Sequence, residues 1–421
     1  MNKIYGREVE CYQLNIKNNT MKIAFISPFP PSQVTLNEYG YHLIRSFIGK
    51  PEVEKIYVLT NHLNDNSRYR NYAMEGVDLI PCWTFNSLFS FLQIRNALKR
   101  LKPDVVILNL QFMTFGEGKV PAALGLLTPW VCKLMGIPSI VIQHNITETV
   151  KLDTIGMAEG KWKGDLFLWI GKQLTKFILK ADLVGFTISQ YVDIIKTKYK
   201  VGNAILLPHG NFELPERSYL PEPLSEINLM AFGKFGTYKK VEVMLDAVKI
   251  LEKKYPNQKF IATVAGSDNP NVKGYLENVR EEYKDMKNVF FTGYVPEEEV
   301  ESIFKKSTFI IFPYTTTTGS SGILHQAGSY ARACILPKID DLERIVEEEG
   351  YGGAYFETDD SESLASAISH LMEHPKERKR YEDMNYAAAK GLPMNELAQW
   401  YLSHAQKLVN QSSKEIQMLP C

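Results

Sequence analysis

The sequence predicts an α/β protein of two doubly wound units, each a parallel sheet between helical layers, with a cleft where the units face each other. Three observations predict it. Short apolar runs recur along the chain and alternate with segments long enough for helices, the pattern of strands covered on both faces. Pro208, Pro215, Pro221 and Pro223 fall close together midway and divide that series in two. The 421 residues exceed the roughly 250–300 at which a single core stops growing.

Taken in order, residues 1–20 are polar and aperiodic, and "MKIAFISPFPP" from Met21 opens the first strand, which ends at Pro28. Strand-like runs follow at 54–60, 104–110, 139–145, 181–189 and 204–210. The proline-rich stretch 213–225 reads as a linker between a first unit, 21–212, and a second, 226–393. In the second unit, strands are expected at 227–235, 260–268, 288–295, 307–315 and 331–338, with helices over 241–254 and 297–306. The closing segment 394–421 contains an amphipathic helix with Leu397, Trp400, Tyr401, His404 and Leu408 on one side. Open α/β sheets bind ligands at their carboxyl edges, so the active site is expected between the units.

Lys plus Arg and Asp plus Glu both number 48, and this balance leaves no overall field for nucleic acid. Five scattered cysteines with no CxxC suggest reduced thiols in a cytoplasmic protein. The N-terminus "MNKIYGREVECYQLNIKNN" lacks the apolar core of a signal peptide, and the stretch Val120 to Cys132, broken by Pro121 and Pro129, is too short to span a bilayer. No D-x-D triplet or His/Cys/carboxylate cluster has metal-ligand spacing, so neither metal nor cofactor is expected. Serine-hydrolase elbows and P-loops are also absent.

Two loops could carry chemistry. "FGKFGTYKKVEVMLDAV" supplies Gly233 and Gly236, lysines at 234, 239 and 240, and then a helix. Small residues let amides approach an anion, and lysines with a helix start supply positive charge, so the loop reads as a diphosphate cradle. The same residues also fit a glycine turn followed by solvated lysines. "PYTTTTGSSGILHQAGSYA" runs through Thr315 to Thr318, Ser320 and Ser321 into a helix, and suits either phosphate and sugar oxygens or a simple N-cap. A further stretch, 161–180, sets five lysines among tryptophans, phenylalanines and isoleucines against the single Asp165. It reads as a helix packed on the first sheet or as one resting on anionic lipid.

The order and spacing of "GKFGTYKK", "VAGSD", "NVFFTGYVPEEEVESIFKKSTFIIFPY" and "SSGILHQAGSYARACI" resemble the retaining glycosyltransferases of family 4, which have the GT-B fold of two Rossmann-like domains. "SPFPPSQVTLNEYGYHL", "LNLQFMTFGEGKVP", "IPSIVIQHN" and "ILLPHG" extend the likeness through the first unit, so that it covers about residues 21–408. The resemblance implies a metal-independent transfer of a hexose from a nucleotide-diphosphate sugar, of GDP-mannose or UDP-glucose type, to a saccharide or lipid-linked saccharide acceptor.

Carried over residue by residue, it makes Lys234, Lys239 and His144 the candidate catalytic groups. It places Gly233, Gly266, Tyr314, Thr318, Ser321, Gly322, Ile323 and Gln326 on the donor, and Gln33, Thr35, Asn37, Gln111 and Glu117 on the acceptor. Lys234 stands where the family has Arg, which keeps the charge and loses the bidentate fork. Thr318 and Gln326 stand where the family has a glutamate pair. That departure admits two alternatives, a non-catalytic nucleotide-sugar-binding subunit and a GT-B nucleotide-sugar epimerase. The family further implies that the closing helix crosses back to the first domain. His209 reads as a turn or interdomain residue, while His325 either lines the pocket or packs.

Overall fold

The computed structural model describes residues 20–149, 161–212, 214–269, 272–316 and 321–418. The first half builds one parallel sheet from β1 (Met21–Ile26), β2 (Val53–Asn61), β3 (Val77–Trp83), β4 (Val105–Leu110), β5 (Ser139–Gln143), β6 (Leu183–Phe186) and β7 (Ala204–Leu206). Its seven strands run in the order β3-β2-β1-β4-β5-β6-β7. The second half builds another from β8 (Glu226–Phe235), β9 (Lys259–Asp268), β10 (Val289–Gly293), β11 (Phe309–Ile311), β12 (Ala333–Pro337) and β13 (Gly353–Phe356). Its order is β10-β9-β8-β11-β12-β13. Strand order reverses between β1 and β4 in one sheet and between β8 and β11 in the other, and these switch points open the crevices that receive ligands.

Alternate residues of each strand feed different layers. In the first sheet Phe25, Ile107 and Ile142 pack against α1 (Asn37–Arg45), through Tyr39, Leu43 and Phe47. Ile26, Val106 and Leu108 face the other layer, made of α2 (Ser90–Leu101), α3 (Lys119–Gly125), α4 (Thr128–Leu134), α5 (Lys161–Ile178) and α6 (Ser189–Tyr199). In the second sheet Leu229, Val264 and Ile311 meet a layer that includes α7 (Glu242–Lys254). The helix α8 (Tyr275–Glu282) contributes Val279 to the same cluster. Met230, Ile310 and Leu336 face α9 (Glu297–Lys306), α10 (Gly322–Ser329) and α11 (Asp340–Glu348). The chain then adds α12 (Ser361–Glu373), α13 (Pro375–Gly391) and α14 (Met394–Met418).

The last helix returns to the first sheet. Met394, Leu397, Ala398, Tyr401, Leu402 and Ala405 form its buried stripe and join the cluster around Phe47. Trp400, expected on that side, is instead 46% exposed, because the stripe advances at i, i+3, i+4 and i+7 and leaves position 400 on the outer flank.

Two strands, β3 and β13, were not anticipated. Pro81 disguises β3, and it is tolerated because β3 is an edge strand with one side of its ladder open. The run expected over 204–210 ends as a strand at Leu206. Cys82, Cys132 and Cys334 are free thiols, and Cys11 and Cys421 lie outside the described residues. Among the described residues no helix is long and apolar enough to cross a membrane.

Candidate active site

The switch point of the second sheet assembles the cradle. Near the carboxyl end of β8, Gly233 takes φ 130°, a backbone conformation open to glycine. A Cβ added there would lie 2.7 Å from Lys239 Nζ and 3.4 Å from Ile323 Cδ1, so the predicted catalytic Lys239 and the predicted donor residues Gly233 and Ile323 converge on one point. Lys239 bridges Tyr314 in an antiparallel pair, its ammonium 4.7 Å from the Tyr314 ring centroid. The Tyr314 hydroxyl lies 3.5 Å from Ser321 Oγ, at the start of α10. Gly266 works from behind: a Cβ on it would sit 1.9 Å from the Gly233 carbonyl oxygen, so its lack of a side chain lets β8 and β9 close up.

The two lysines differ. Lys239 is only 8% exposed, and among the described residues no carboxylate lies within ion-pair distance of it. Burial, helped by the charge of Lys234, pushes its ammonium down to about 7. Lys234 is half-buried and reaches across the cleft to donate to the Gln33 carbonyl oxygen at 3.4 Å. Burial lowers its pKa while Glu38 and Glu117 of the opposite domain hold it up. Lys240 is exposed and only its backbone engages the site region, through the Pro313 carbonyl.

Beside the cradle lies a small cavity of about 40 Å³ that includes His209, His325, Gln326 and Gly322 in its lining, with His42 and Glu297 at its other wall. His209 stacks on His325 with ring centroids 4.7 Å apart and planes 11° from parallel, so this contact joins the two domains. Burial holds His209 down to about 4 and His325 well below the usual imidazole value. Nδ1 of His325 lies 3.1 Å from the Tyr351 hydroxyl and Nε2 lies 3.5 Å from Glu349. Burial first, and then Glu348, pushes the Glu349 carboxyl up to about 8, so His325 and Glu349 form a neutral pair instead of an ionic one. His325 therefore both lines the cavity and packs.

His144 is buried, with Nε2 2.7 Å from Asn109 Oδ1 and its ring edge-on to Tyr39. The Asn109 amide donates to Ser27 Oγ and to the Leu36 carbonyl, which leaves Oδ1 for the histidine. Nε2 must then carry the proton, and Nδ1 keeps the lone pair. Burial holds this imidazole well below its usual value and hence neutral.

On the acceptor side Gln33 and Thr35 are exposed at the mouth of the cleft. The Asn37 amide is used locally, donating to Ser32 O at 2.7 Å. Gln111 is half-buried, its backbone N–H bound to Thr114 Oγ1, and Glu117 is exposed yet close enough to act on Lys234. Thr318 lies outside the described residues.

Sequence reasoning missed three groups. Glu38 and His42, one turn apart on α1, both face the cleft, and His42 Nε2 meets Glu297 of the second domain at 3.3 Å. The signal available was their i, i+4 spacing on the helix that follows the first strand. Among the described residues no cluster of three His, Cys, Asp or Glu could hold a metal ion.

Residues 226–374 match the family model for glycosyl transferases group 1. The chain is 23% identical over 308 residues to the alpha-monoglucosyldiacylglycerol synthase of Acholeplasma laidlawii, covering 66% of this chain and 69% of that one. It is 23% identical over 217 residues to the O-antigen chain mannosyltransferase C of Escherichia coli, covering 49% of this chain and 55% of the relative's length. The crystal structure of Anabaena HepE in complex with UDP-glucose superposes with a TM-score of 0.65 at 14% identity, over 95% of this chain and 100% of that one. The two facing parallel sheets are those of the GT-B fold, and the second of them lies in a glycosyl transferases group 1 domain.

Proposed function

We propose that the chain is a retaining, metal-independent glycosyltransferase that moves a hexose from a nucleotide-diphosphate sugar to a hydroxyl of a saccharide or lipid-linked saccharide. One observation carries this reading: Lys239, a buried ammonium with no carboxylate partner among the described residues, sits against Gly233 and the start of α10 at the switch point of the second sheet. A buried amine with no carboxylate beside it is costly to keep charged until an anion arrives, and a diphosphate fits this place. The glucosyl- and mannosyl-transferring relatives and the UDP-glucose complex support a donor of UDP-glucose or GDP-mannose type.

On this reading the bond from the anomeric carbon to the diphosphate oxygen breaks through an oxocarbenium-like transition state. Lys239, Lys234 and the first amides of α10 stabilise the departing charge. The acceptor oxygen attacks from the same face, and its proton passes to the leaving diphosphate, so no protein nucleophile is required. Gln326, placed in the cavity wall, supplies an amide for a ribose hydroxyl. His144, neutral, lends a lone pair near the transferred sugar. The first domain presents the acceptor, and peripheral contact through 161–180 would bring the chain to a lipid-linked one on the cytoplasmic side.

The test is incubation of the purified chain with labelled UDP-glucose, UDP-galactose and GDP-mannose. Slow release of nucleoside diphosphate supports transfer. Sugar interconversion would make the chain an epimerase, and binding without turnover would make it a subunit, the reading that Gln326 in place of a glutamate favours.

A further inference from the structure

Lys239 is carried by the loop 236–241, and one tyrosine holds both ends of that loop. A Cβ added to Gly236, at φ 101°, would lie 2.9 Å from Cβ and from Cγ of Tyr275, the first residue of α8, so a glycine here lets the backbone lie on the tyrosine. At the other end the Val241 N–H donates to the Tyr275 hydroxyl at 2.9 Å. Between the two, the Gly236 N–H donates to the Lys239 carbonyl at 2.9 Å and closes the loop. Tyr275 is itself anchored. The carboxylate of Asp268, the last residue of β9, accepts from the Gly274 N–H at 2.7 Å and from the Leu276 N–H at 2.9 Å, and the Asn269 N–H donates to the Phe235 carbonyl at 2.7 Å. The clamp therefore hangs from β8 and β9, the strands that close on each other at Gly233 and Gly266.

The same hydroxyl has a second partner. It donates to the carboxylate of Glu242, the first residue of α7. Burial first, and then Glu242, pushes the Tyr275 phenol up, so the oxygen keeps the proton that it donates. Glu242 is the acidic residue nearest to Lys239 along the chain, three positions on. Released from the tyrosine, a carboxylate this close in the chain is expected to pair with the ammonium, and an ammonium so paired is not open to a diphosphate. The titratable groups set against Lys239 among the described residues are Lys234 on β8, Tyr238 in the loop and Tyr314 after β11, and none of these three is a carboxylate.

We propose that Tyr275 is a positioning residue of the cradle: it clamps the loop 236–241 and holds the Glu242 carboxylate away from Lys239, so that the ammonium stays free for phosphate. It acts through Lys239 and touches no substrate. The proposal rests on the diphosphate reading of the cradle for its purpose, while the arrangement it describes belongs to the ligand-free chain.

The experiment is a pH titration of the Lys239 side-chain resonance in the lysine-labelled full chain without nucleotide, the signal being assigned by its loss in Lys239→Arg. Tyr275→Phe keeps the ring on Gly236 and removes only the hydroxyl. The Lys239 midpoint is expected to rise by about one pH unit or more in this variant, because Glu242 is released to pair with it. Tyr275→Phe/Glu242→Gln has no carboxylate to offer and should return the midpoint to the wild-type value. Glu242→Gln alone, which leaves the tyrosine intact, should not move it. Affinity for UDP or GDP, whichever the wild-type chain binds, should fall about fivefold near pH 7 in Tyr275→Phe, the share of free ammonium that a one-unit rise removes, and recover in the double variant. A tyrosine that only held the fold would lower the melting temperature and leave the midpoint in place. A Tyr275→Phe midpoint equal to that of wild type, a rise that survives in the double variant, or a shift in Glu242→Gln alone would each overturn the proposal. Failure of the wild-type chain to bind either nucleotide fells the diphosphate reading alone, since the lysine titration is read without it.

Discussion

Replacing Lys239 by Met should lower activity and raise stability together. The side chain is 8% exposed and has no carboxylate partner among the described residues, and burial holds its ammonium at about 7 against an ordinary value of 10.5. A lysine so depressed destabilises the fold wherever the unfolded chain would carry the proton and the native one resists it. That penalty is complete below about pH 7, shrinks as pH rises towards 10.5, and is gone above it. Methionine removes it, so the ligand-free variant should unfold later by roughly 1–3 kcal/mol at pH 7. A charge-assisted contact to the donor phosphate is worth about 1.5–3 kcal/mol, so kcat/KM should fall tenfold or more. Nucleoside diphosphate affinity supplies a second signature. If only the protonated amine binds, wild-type affinity should fall roughly 50-fold between pH 7 and pH 9, while the Met variant stays flat. Differential scanning fluorimetry, steady-state kinetics and calorimetric titration over that range are sufficient. A Met variant that is less stable and fully active would refute the assignment, because the lysine would then be an ordinary structural cation.

The other predictions follow from the same cleft. Gly266→Ala sets a Cβ 1.9 Å from a backbone oxygen at φ 139°, so denaturant unfolding should show a loss of about 3 kcal/mol and donor binding should fall with it. Glu349→Gln should match wild type near pH 4.5 and exceed it by about 1–2 kcal/mol at pH 8, because a carboxyl raised to about 8 loses native stability as pH climbs through that window; thermal melts at both pH values give the sign. Lys234→Ala should cost at least tenfold in kcat/KM and Lys234→Arg only a few-fold. Glu38→Gln, by contrast, should leave kcat within about threefold of wild type, as judged by single-turnover transfer.

The architecture was legible because buried parallel strands have to be continuously apolar, and "DVVILNL" or "FIIF" permits few other readings. The edge strand β3 escaped because Pro81 breaks its run, and only its place at the margin excuses the proline. Gly233 and Lys239 were legible as a loop, and the choice of Lys239 over the adjacent Lys240 came from the family resemblance alone; the physical reason, the bridge to Tyr314, is a pairing set in three dimensions. The histidines were visible singly, while the stacking of His209 on His325 joins residues from different domains. Glu38 was hidden for the same reason, since an acidic residue in the first turn of a helix ordinarily reads as a favourable terminus facing water.

The expectation for Glu38 follows from how charge must be redistributed in the cleft. Its carboxyl is already raised, first by burial and then by Glu297, against the lowering effects of His42 and Lys234. Lys234, which donates to the Gln33 carbonyl, feels both Glu38 and Glu117. A diphosphate bound against Lys239 would draw Lys234 away and add negative charge of its own. Both changes favour the proton on Glu38. A carboxyl whose proton is held more firmly as the donor arrives is a poorer acceptor for the proton of the acceptor hydroxyl, whereas the departing diphosphate would gain charge at the moment that proton is released. On the proposed mechanism, proton acceptance would therefore fall to the leaving group, with Glu38 left as a hydrogen-bonding group at the cleft.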